Sequence, residues 1–271
     1  MNYSIDSVSK QFASGREATP VLENISLSVP AGEHVAILGS SGAGKTTLFR
    51  LLNATLRPSS GSVNVDGRDL GAMASSDLRA TRRRIGTIYQ QHNLVPSLTV
   101  LQNTLCGCLG RWSLTQTFRS IFSPARPDVE QAMHALELVD LADKASVRAD
   151  ELSGGQQQRL AIARVLMQKP EVILADEPVA SLDPALADEI ISLILRVGSE
   201  ANCTLVVSLH KVEMALEYFP RAVGLRTGRV QFDLASSTVN ENLLQDLYGN
   251  TFQEARRIPN ENRFQREFGC R

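Results

Sequence analysis

A glycine-rich segment between an apolar run and an amphipathic stretch limits the folds open to this chain more than any other feature. Residues 39–46 read Gly-Ser-Ser-Gly-Ala-Gly-Lys-Thr and match the phosphate-binding pattern G-x-x-x-x-G-K-[ST]. The apolar run HVAILG (34–39) precedes the segment, and helical periodicity begins near Lys45. The order strand, phosphate loop, helix predicts an α/β nucleotide-binding core.

The residue types of this loop suit a bound triphosphate. Its glycines allow the backbone to form a nest whose N–H groups face phosphate oxygens, and the helix N-terminus adds positive partial charge. Lys45 is predicted to span the β- and γ-phosphates, and the Thr46 hydroxyl to bind Mg²⁺. An incidental glycine-rich turn is the alternative, which the flanking strand and helix disfavour. The predicted nucleotide-binding residues are Gly39, Ser40, Ser41, Gly42, Ala43, Gly44, Lys45, Thr46 and Thr47.

Two further apolar runs predict buried parallel strands on either side of a helix. The run EVILAD (171–176) ends in the acid pair Asp176 and Glu177, and TLVVSLH (204–210) ends in His210. Ligands of open α/β sheets bind at the carboxyl edge of the strands, where this pair is expected. Asp176 is suited to hold Mg²⁺, and Glu177 to orient and deprotonate an attacking water. Alone, apolar residues followed by an acid pair are a weak signal.

The rest of the chain predicts an N-terminal β subdomain, a helical insertion and a tail. Short strand-like runs occupy the first 66 residues, a helical subdomain is expected at about 92–165, and a hairpin and a helix follow near 222–248. Residues 251–271 are polar without sustained periodicity, which predicts a tail after an ATP-binding domain at 1–250. Cys106 and Cys108 suit small apolar positions better than a metal site, because no second Cys or His pair stands at zinc spacing.

Charge and hydropathy restrict the classes of partner. The chain of 271 residues carries 28 Lys and Arg against 29 Asp and Glu. This balance argues against nucleic acid as a partner, since phosphate binding calls for a basic excess or stripe. We find no window near the ~18 apolar residues of a membrane helix, and no secretory signal pattern at the N-terminus. The expectation is a soluble intracellular chain.

The segment LSGGQQQR (152–159) closely resembles the signature motif of the ATP-binding-cassette (ABC) family. Other motifs of that family follow the same order along residues 2–248. Phe12 stands at the position of an adenine-stacking aromatic, Gln90 at that of the Q-loop glutamine, and His210 at that of the switch histidine. The remaining residues that resemble signature and D-loop positions are Ser153, Gly154, Gly155, Gln156, Ser181, Leu182 and Asp183.

The resemblance implies ATP as the nucleotide and gives these side chains roles. Gln90 would contact the metal and the attacking water, and His210 would sense the γ-phosphate in a catalytic role beside Glu177. Each has a plainer alternative: Phe12 as a core side chain, Gln90 as a strand end, and His210 as a structural group.

The signature segment also has a physical interpretation. Ser153 precedes two glycines and a helix, as expected for an N-cap with anion-binding amides behind it. A chain with a complete phosphate loop has no need of a second anion site, unless that site serves the nucleotide of another copy. The family's head-to-tail dimer has this arrangement. The resemblance therefore implies a homodimer in which the motif contacts the partner's ATP.

Within the family, the closest resemblance is to importer ATPases. The stretch around 109–127, the run RADELSGGQQQR and SLHKVEMA are similar to phosphonate-import ATPases. This implies two membrane permease subunits, which would dock at about 91–127 on the cytoplasmic face of the inner membrane, and a periplasmic or lipid-anchored binding protein. Phosphite, amino acids, metal chelates and lipoproteins are alternative substrates. A soluble ABC ATPase acting on DNA or ribosomes is a different class that remains open.

Overall fold

Strands and helices alternate along most of the chain. The computed structural model describes residues 1–14, 17–113, 115–117, 124–180 and 182–249. The strands in these ranges are β1 (Tyr3–Ser14), β2 (Glu17–Val29), β3 (His34–Leu38), β4 (Ser60–Val65), β5 (Arg68–Asp69), β6 (Ile85–Ile88), β7 (Val172–Asp176), β8 (Thr204–Leu209), β9 (Arg221–Arg226) and β10 (Arg229–Ala235). The helices are α1 (Lys45–Leu52), α2 (Ser75–Arg83), α3 (Val100–Leu105), α4 (Arg126–Leu138), α5 (Gly154–Gln168), α6 (Pro184–Glu200), α7 (Val212–Tyr218) and α8 (Glu241–Tyr248).

The larger sheet aligns the ends of its parallel strands. Its order is β10-β9-β3-β8-β7-β6, with β10 antiparallel to β9 and every other neighbouring pair parallel. Leu38 pairs with Leu209, Ile88 with Ala175, and Asp176 with Ser208. The segments that follow β3, β6, β7 and β8 therefore leave the sheet at the same edge, where ligands of α/β folds bind.

A smaller antiparallel sheet and helix α1 cover one face of the larger sheet. Its order is β2-β1-β4-β5, and Val35 and Ile37 of β3 pack in one cluster with Leu22, Phe49 and Val63. The alternate residues of the same strand, Ala36 and Leu38, face a second cluster with helices α4 to α8. Because strand side chains alternate between faces, a strand buried on both faces reads as a continuous apolar run. This explains the sequence pattern at 34–38.

The predicted α/β fold class, with its N-terminal antiparallel β part and its helical segment, is confirmed. Helices α3, α4 and α5 lie between β6 and β7, where the insertion was expected, although its exact bounds stay a prediction. Within this helical segment, α4 covers Arg126–Leu138, and a separate short helical turn follows it at Ala142–Lys144. Helix α2 and strand β5 were not predicted. The tail at 251–271 lies outside the described residues.

Candidate active site

The backbone of the phosphate loop requires glycine where the chain turns into α1. Gly44 has a φ of +105°, and a Cβ there would lie 2.7 Å from Leu22 Cδ2 and 3.0 Å from the Val21 carbonyl oxygen. Gly42 has a φ of +79°, and nothing lies within 4 Å of the position of a Cβ. The left-handed conformation excludes most side chains at both positions. At Gly42 the loop also has open space on its outer side, where a ligand could approach.

Lys45, the first residue of α1, lies buried within this loop. Its Nζ donates to the carbonyl oxygens of Gly39 at 2.8 Å and Ser40 at 3.1 Å, and lies 3.4 Å from Glu177 Oε1. Burial lowers the pKa of Lys45, and the charge of Glu177 opposes this shift. The ammonium group is therefore held at the loop by carbonyls and one carboxylate, a position suited to phosphate oxygens.

The acid pair stands where β7 ends. Asp176 is buried at 7% exposure, whereas the Glu177 side chain is 15% exposed and reaches toward the loop. His210, which follows β8, places Nε2 2.7 Å from Glu177 Oε1. The structure thus brings Lys45 and His210 to the carboxylate of Glu177, although the three residues lie far apart in sequence.

The environment keeps this carboxylate ionised. The hydrogen bond from His210 lowers the pKa of Glu177, and the charges of His210 and Lys45 add to the effect against the opposing influence of burial. An ionised carboxylate can accept a hydrogen bond or a proton from a water molecule. The group can therefore orient a nucleophilic water.

The other predicted loop residues and Gln90 lie around this edge at different depths. Ala43 is buried, Ser40, Gly44 and Thr47 are half-buried, and Ser41, Thr46 and Gln90 are exposed. Gln90 follows β6, whose register with β7 directs it to the same sheet edge as Glu177. Phe12 on β1 is 39% exposed, with Lys10 Nζ 5.2 Å from its ring centroid. The core alternative for Phe12 is therefore wrong.

The signature segment forms a regular helix start. Ser153 is the N-cap of α5: its hydroxyl accepts from the Gln156 N–H at 3.4 Å, and Gln156 Oε1 accepts from the Ser153 N–H at 3.0 Å. Gly155 is buried, and a Cβ there would lie 2.4 Å from Leu186 Cδ2. Gly154 and Ser153 are exposed. The N-cap prediction is confirmed.

The predicted residues fall into two sets within the described chain. No hydrogen bond or ion pair there joins 153–156 to the loop at 39–46. Asp183 is the N-cap of α6, with its carboxylate accepting from the Leu186 N–H, a local role that the sequence prediction did not include. Ser181 lies outside the described residues.

Sequence reasoning missed two side chains that contact this site. Ser208 on β8 bridges Asp176 and the Glu177 backbone. Tyr248, at the end of α8, donates from its hydroxyl to the His210 carbonyl oxygen at 3.5 Å, and the same hydroxyl is hydrogen-bonded with the backbone of Gly39, while burial raises its pKa. A polar residue inside an apolar strand was the available signal for Ser208, whereas nothing local pointed to Tyr248.

The donor set suits Mg²⁺ with a triphosphate. Magnesium prefers oxygen ligands and retains several waters, and the predicted ligands are a hydroxyl (Thr46), a carboxylate (Asp176) and an amide (Gln90). When bound, Mg²⁺ would neutralise charge on the β- and γ-phosphates. The described ranges contain no cluster of three or more His, Cys, Asp or Glu side chains that could hold a metal ion. Cys108 is buried and Cys106 half-buried beside helix α5, in agreement with small apolar positions.

Comparison with known proteins identifies the family. The model of the family described as ABC transporter matches residues 22–180, which include the phosphate loop, the signature segment and the acid pair. The chain belongs to the ABC transporter family. Its fold is similar to that of the ATP-binding cassette MJ0796, solved as a dimer in a post-hydrolysis state with ADP and Pi. The TM-score is 0.74 at 31% identity, over 86% of this chain and 98% of that chain.

Curated relatives of this ABC ATPase match it over most of its length. It is 46% identical, over 84% of this chain and 86% of the relative, to the phosphonates import ATP-binding protein PhnC of Pseudomonas fluorescens (strain Pf0-1). It is 43% identical, over 95% of this chain and 94% of the relative, to PhnC 2 of Pseudomonas aeruginosa (strain UCBPP-PA14).

Among the described residues, no helix is both long and apolar enough to span a membrane.

Proposed function

We propose that this chain is the ATP-hydrolysing subunit of an importer that takes up phosphonate. The observation that carries the proposal is the meeting of Lys45, Glu177 and His210 at the sheet edge beside a phosphate loop, in a chain similar to phosphonate-import ATPases almost end to end. Lys45 holds the phosphates, Asp176 and Thr46 hold Mg²⁺, and Glu177 activates water. His210 orients Glu177 and the γ-phosphate, and Phe12 stacks on adenine.

Two copies of the chain form the working unit in this proposal. Each ATP lies between the phosphate loop of one copy and the signature segment (Ser153–Gln156) of the other. The exposed N-cap of α5, which has no bond to its own loop in the described chain, and the dimeric state of the similar cassette MJ0796 support it. ATP binding draws the copies together, and hydrolysis lets them part.

The substrate is tested by transport. Deleting the gene should abolish cellular uptake of radiolabelled methylphosphonate and leave phosphate uptake unchanged, because the ATPase energises one permease. The wild-type gene should restore uptake, and a Lys45→Ala copy should not. Loss of phosphite, amino-acid or metal-chelate uptake with normal methylphosphonate uptake would contradict the phosphonate assignment and support another importer. Normal uptake of all these, with the protein on DNA or ribosomes, would contradict transport.

A basic groove supports docking of two membrane permease subunits, one on each copy. The groove, of about 640 Å³, lies between α2 and β6 on one side and the helical part on the other. Arg164 donates to the carbonyl oxygens of His92 and Asn93, just beyond Gln90. It therefore connects the groove to the sheet edge that carries the candidate active site. Its described lining contains no carboxylate but five arginines: Arg79, Arg82, Arg83, Arg111 and Arg164.

The positive charge of this groove indicates which kind of partner segment would bind there. Arg164 and Arg111 are engaged with backbone carbonyls, whereas Arg79 and Arg83 are exposed and make no ion pair among the described residues. A cytoplasmic permease segment that carries Asp or Glu would complement them.

The periplasmic or lipid-anchored binding protein acts through the permease in this proposal. The chain itself lies at the cytoplasmic face of the inner membrane.

Charge reversal tests the groove. Arg79→Glu combined with Arg83→Glu should reduce co-purification with the co-expressed permease at least tenfold, because acidic side chains of the partner would then face like charge. ATP binding by the isolated chain should not change. Arg50→Glu with Arg57→Glu, two exposed arginines outside the groove, is the matched control and should co-purify normally. Equal recovery of both variants would contradict this docking site.

A further inference from the structure

A buried serine links the two carboxylate residues of the site. The Ser208 hydroxyl donates to Asp176 Oδ1 at 2.8 Å and accepts from the Glu177 backbone N–H, also at 2.8 Å. Ser208 has 0% exposure and pairs with Asp176 in the register of β7 and β8. One hydroxyl therefore binds a carboxylate oxygen of Asp176 and the backbone N–H of Glu177.

Glu177 needs a restraint of this kind because its backbone is in an unfavourable conformation. Its φ is +51°, in the left-handed region that side chains with a Cβ rarely adopt. Such a conformation persists only when surrounding contacts hold it. The hydrogen bond to Ser208 fixes the peptide plane at this residue. The fixed peptide plane directs the side chain toward Lys45 and His210, at 3.4 Å and 2.7 Å.

The same hydroxyl restrains Asp176. Its proton is directed at Oδ1, which sets the rotation of the carboxylate and leaves Oδ2 to face other ligands. Removing the hydroxyl would leave an acceptor and a donor without this partner at a buried position. Either the Asp176 carboxylate would rotate or the backbone at Glu177 would relax, and both groups would lose their relative placement.

We propose that Ser208 is a positioning residue for ATP hydrolysis, which couples the orientation of Asp176 to the left-handed backbone of Glu177. The inference rests on the proposed function and adds a residue to its machinery. Ser208 contacts no substrate in this role and acts through its two neighbours. The alternative is that the hydroxyl only satisfies buried polar groups and contributes to stability alone.

A matched residue on the same strand separates these two roles. Thr204, at the opposite end of β8, is also fully buried, and its hydroxyl donates to the Met1 carbonyl oxygen and accepts from the Gly32 N–H, each at 3.0 Å. Thr204 and Ser208 thus share strand, burial and bonding pattern. They differ in position: Ser208 lies at the end of β8 beside the candidate active site, and Thr204 lies at the opposite end.

Steady-state kinetics of purified chain is the first measurement. Ser208→Ala should lower kcat for Mg²⁺-ATP by about ten- to a hundredfold with KM within about threefold, since small misplacements of reacting groups cost about this much. Ser208→Thr keeps the hydroxyl and should stay within about threefold of wild type. Thr204→Ala should lower the melting temperature with kcat unchanged. If Ser208→Ala behaved like Thr204→Ala, the positioning role would be wrong.

A second measurement, of metal binding, does not depend on ATP turnover. Mn²⁺ bound to the complex with a non-hydrolysable ATP analogue can be counted by electron paramagnetic resonance. Ser208→Ala should weaken Mn²⁺ binding several-fold, while analogue binding without metal is unchanged and Ser208→Thr restores the wild-type affinity. Unchanged Mn²⁺ affinity and kcat in Ser208→Ala would overturn the inference. A wild-type chain that hydrolysed no ATP would instead refute the proposed function.

Discussion

Glu177→Gln should nearly stop ATP hydrolysis while ATP binding survives or tightens. A positioned base contributes about 10²–10⁴ in rate, which corresponds to about 3–5 kcal/mol of barrier. The amide keeps the size of the side chain but cannot take a proton from water, and it removes a negative charge beside the γ-phosphate. A long-lived ATP-bound dimer should therefore accumulate, visible as an earlier peak in size-exclusion chromatography with Mg²⁺-ATP.

Asp176→Asn is the matched control for this experiment, because it neutralises the adjacent carboxylate. Asp176 is assigned to the metal, so this variant should weaken Mg²⁺-dependent nucleotide binding as well as turnover, and the stable dimer should not form. Hydrolysis by Glu177→Gln at a near-native rate would refute its role as the base. His210, 2.7 Å from Glu177, would be the next candidate.

The sequence predicted the parts of the site that follow local rules. The phosphate loop is contiguous, so its glycines, Lys45 and Thr46 could be placed from spacing alone. The ends of apolar runs located Asp176, Glu177 and His210 at strand ends, and parallel topology implied a shared edge. These inferences need only short-range pattern and the geometry of a parallel sheet.

The contacts that the sequence did not predict depend on register and long-range packing. Pairing of Asp176 with Ser208 follows from how β7 aligns with β8 across 32 residues of sequence separation. Tyr248 reaches the His210 carbonyl only because α8 packs back on the sheet. Helix α2 was missed because its residues are mostly polar and only Thr81 among them is buried, so the segment contains no apolar run. The basic groove likewise combines arginines from segments that lie far apart in sequence.

Ser153→Arg should abolish ATP-dependent dimerisation and turnover, with nucleotide binding by the single chain nearly intact. Ser153 is exposed at the N-cap of α5, so the fold can accept a larger side chain there. The substitution removes the capping hydroxyl, at a cost of about 1 kcal/mol, and puts bulk and charge where the other copy's ATP would lie. The controls are melting temperature and binding of a fluorescent ATP analogue. Thr99→Arg, at the capping-box N-cap of α3, controls for loss of a cap and should leave dimerisation unaffected.

Mixed dimers test the head-to-tail geometry itself. Combining Ser153→Arg chains with Lys45→Ala chains leaves one intact phosphate loop and one intact signature segment, on different copies. In a head-to-tail dimer these two motifs face each other at one of the two interfaces, and the other interface carries both defects. On a Glu177→Gln background that prevents turnover, the mixed dimer should therefore occlude one ATP, counted by filter binding of radiolabelled nucleotide. If each copy instead used its own signature segment, neither copy would retain both motifs and no ATP would be occluded.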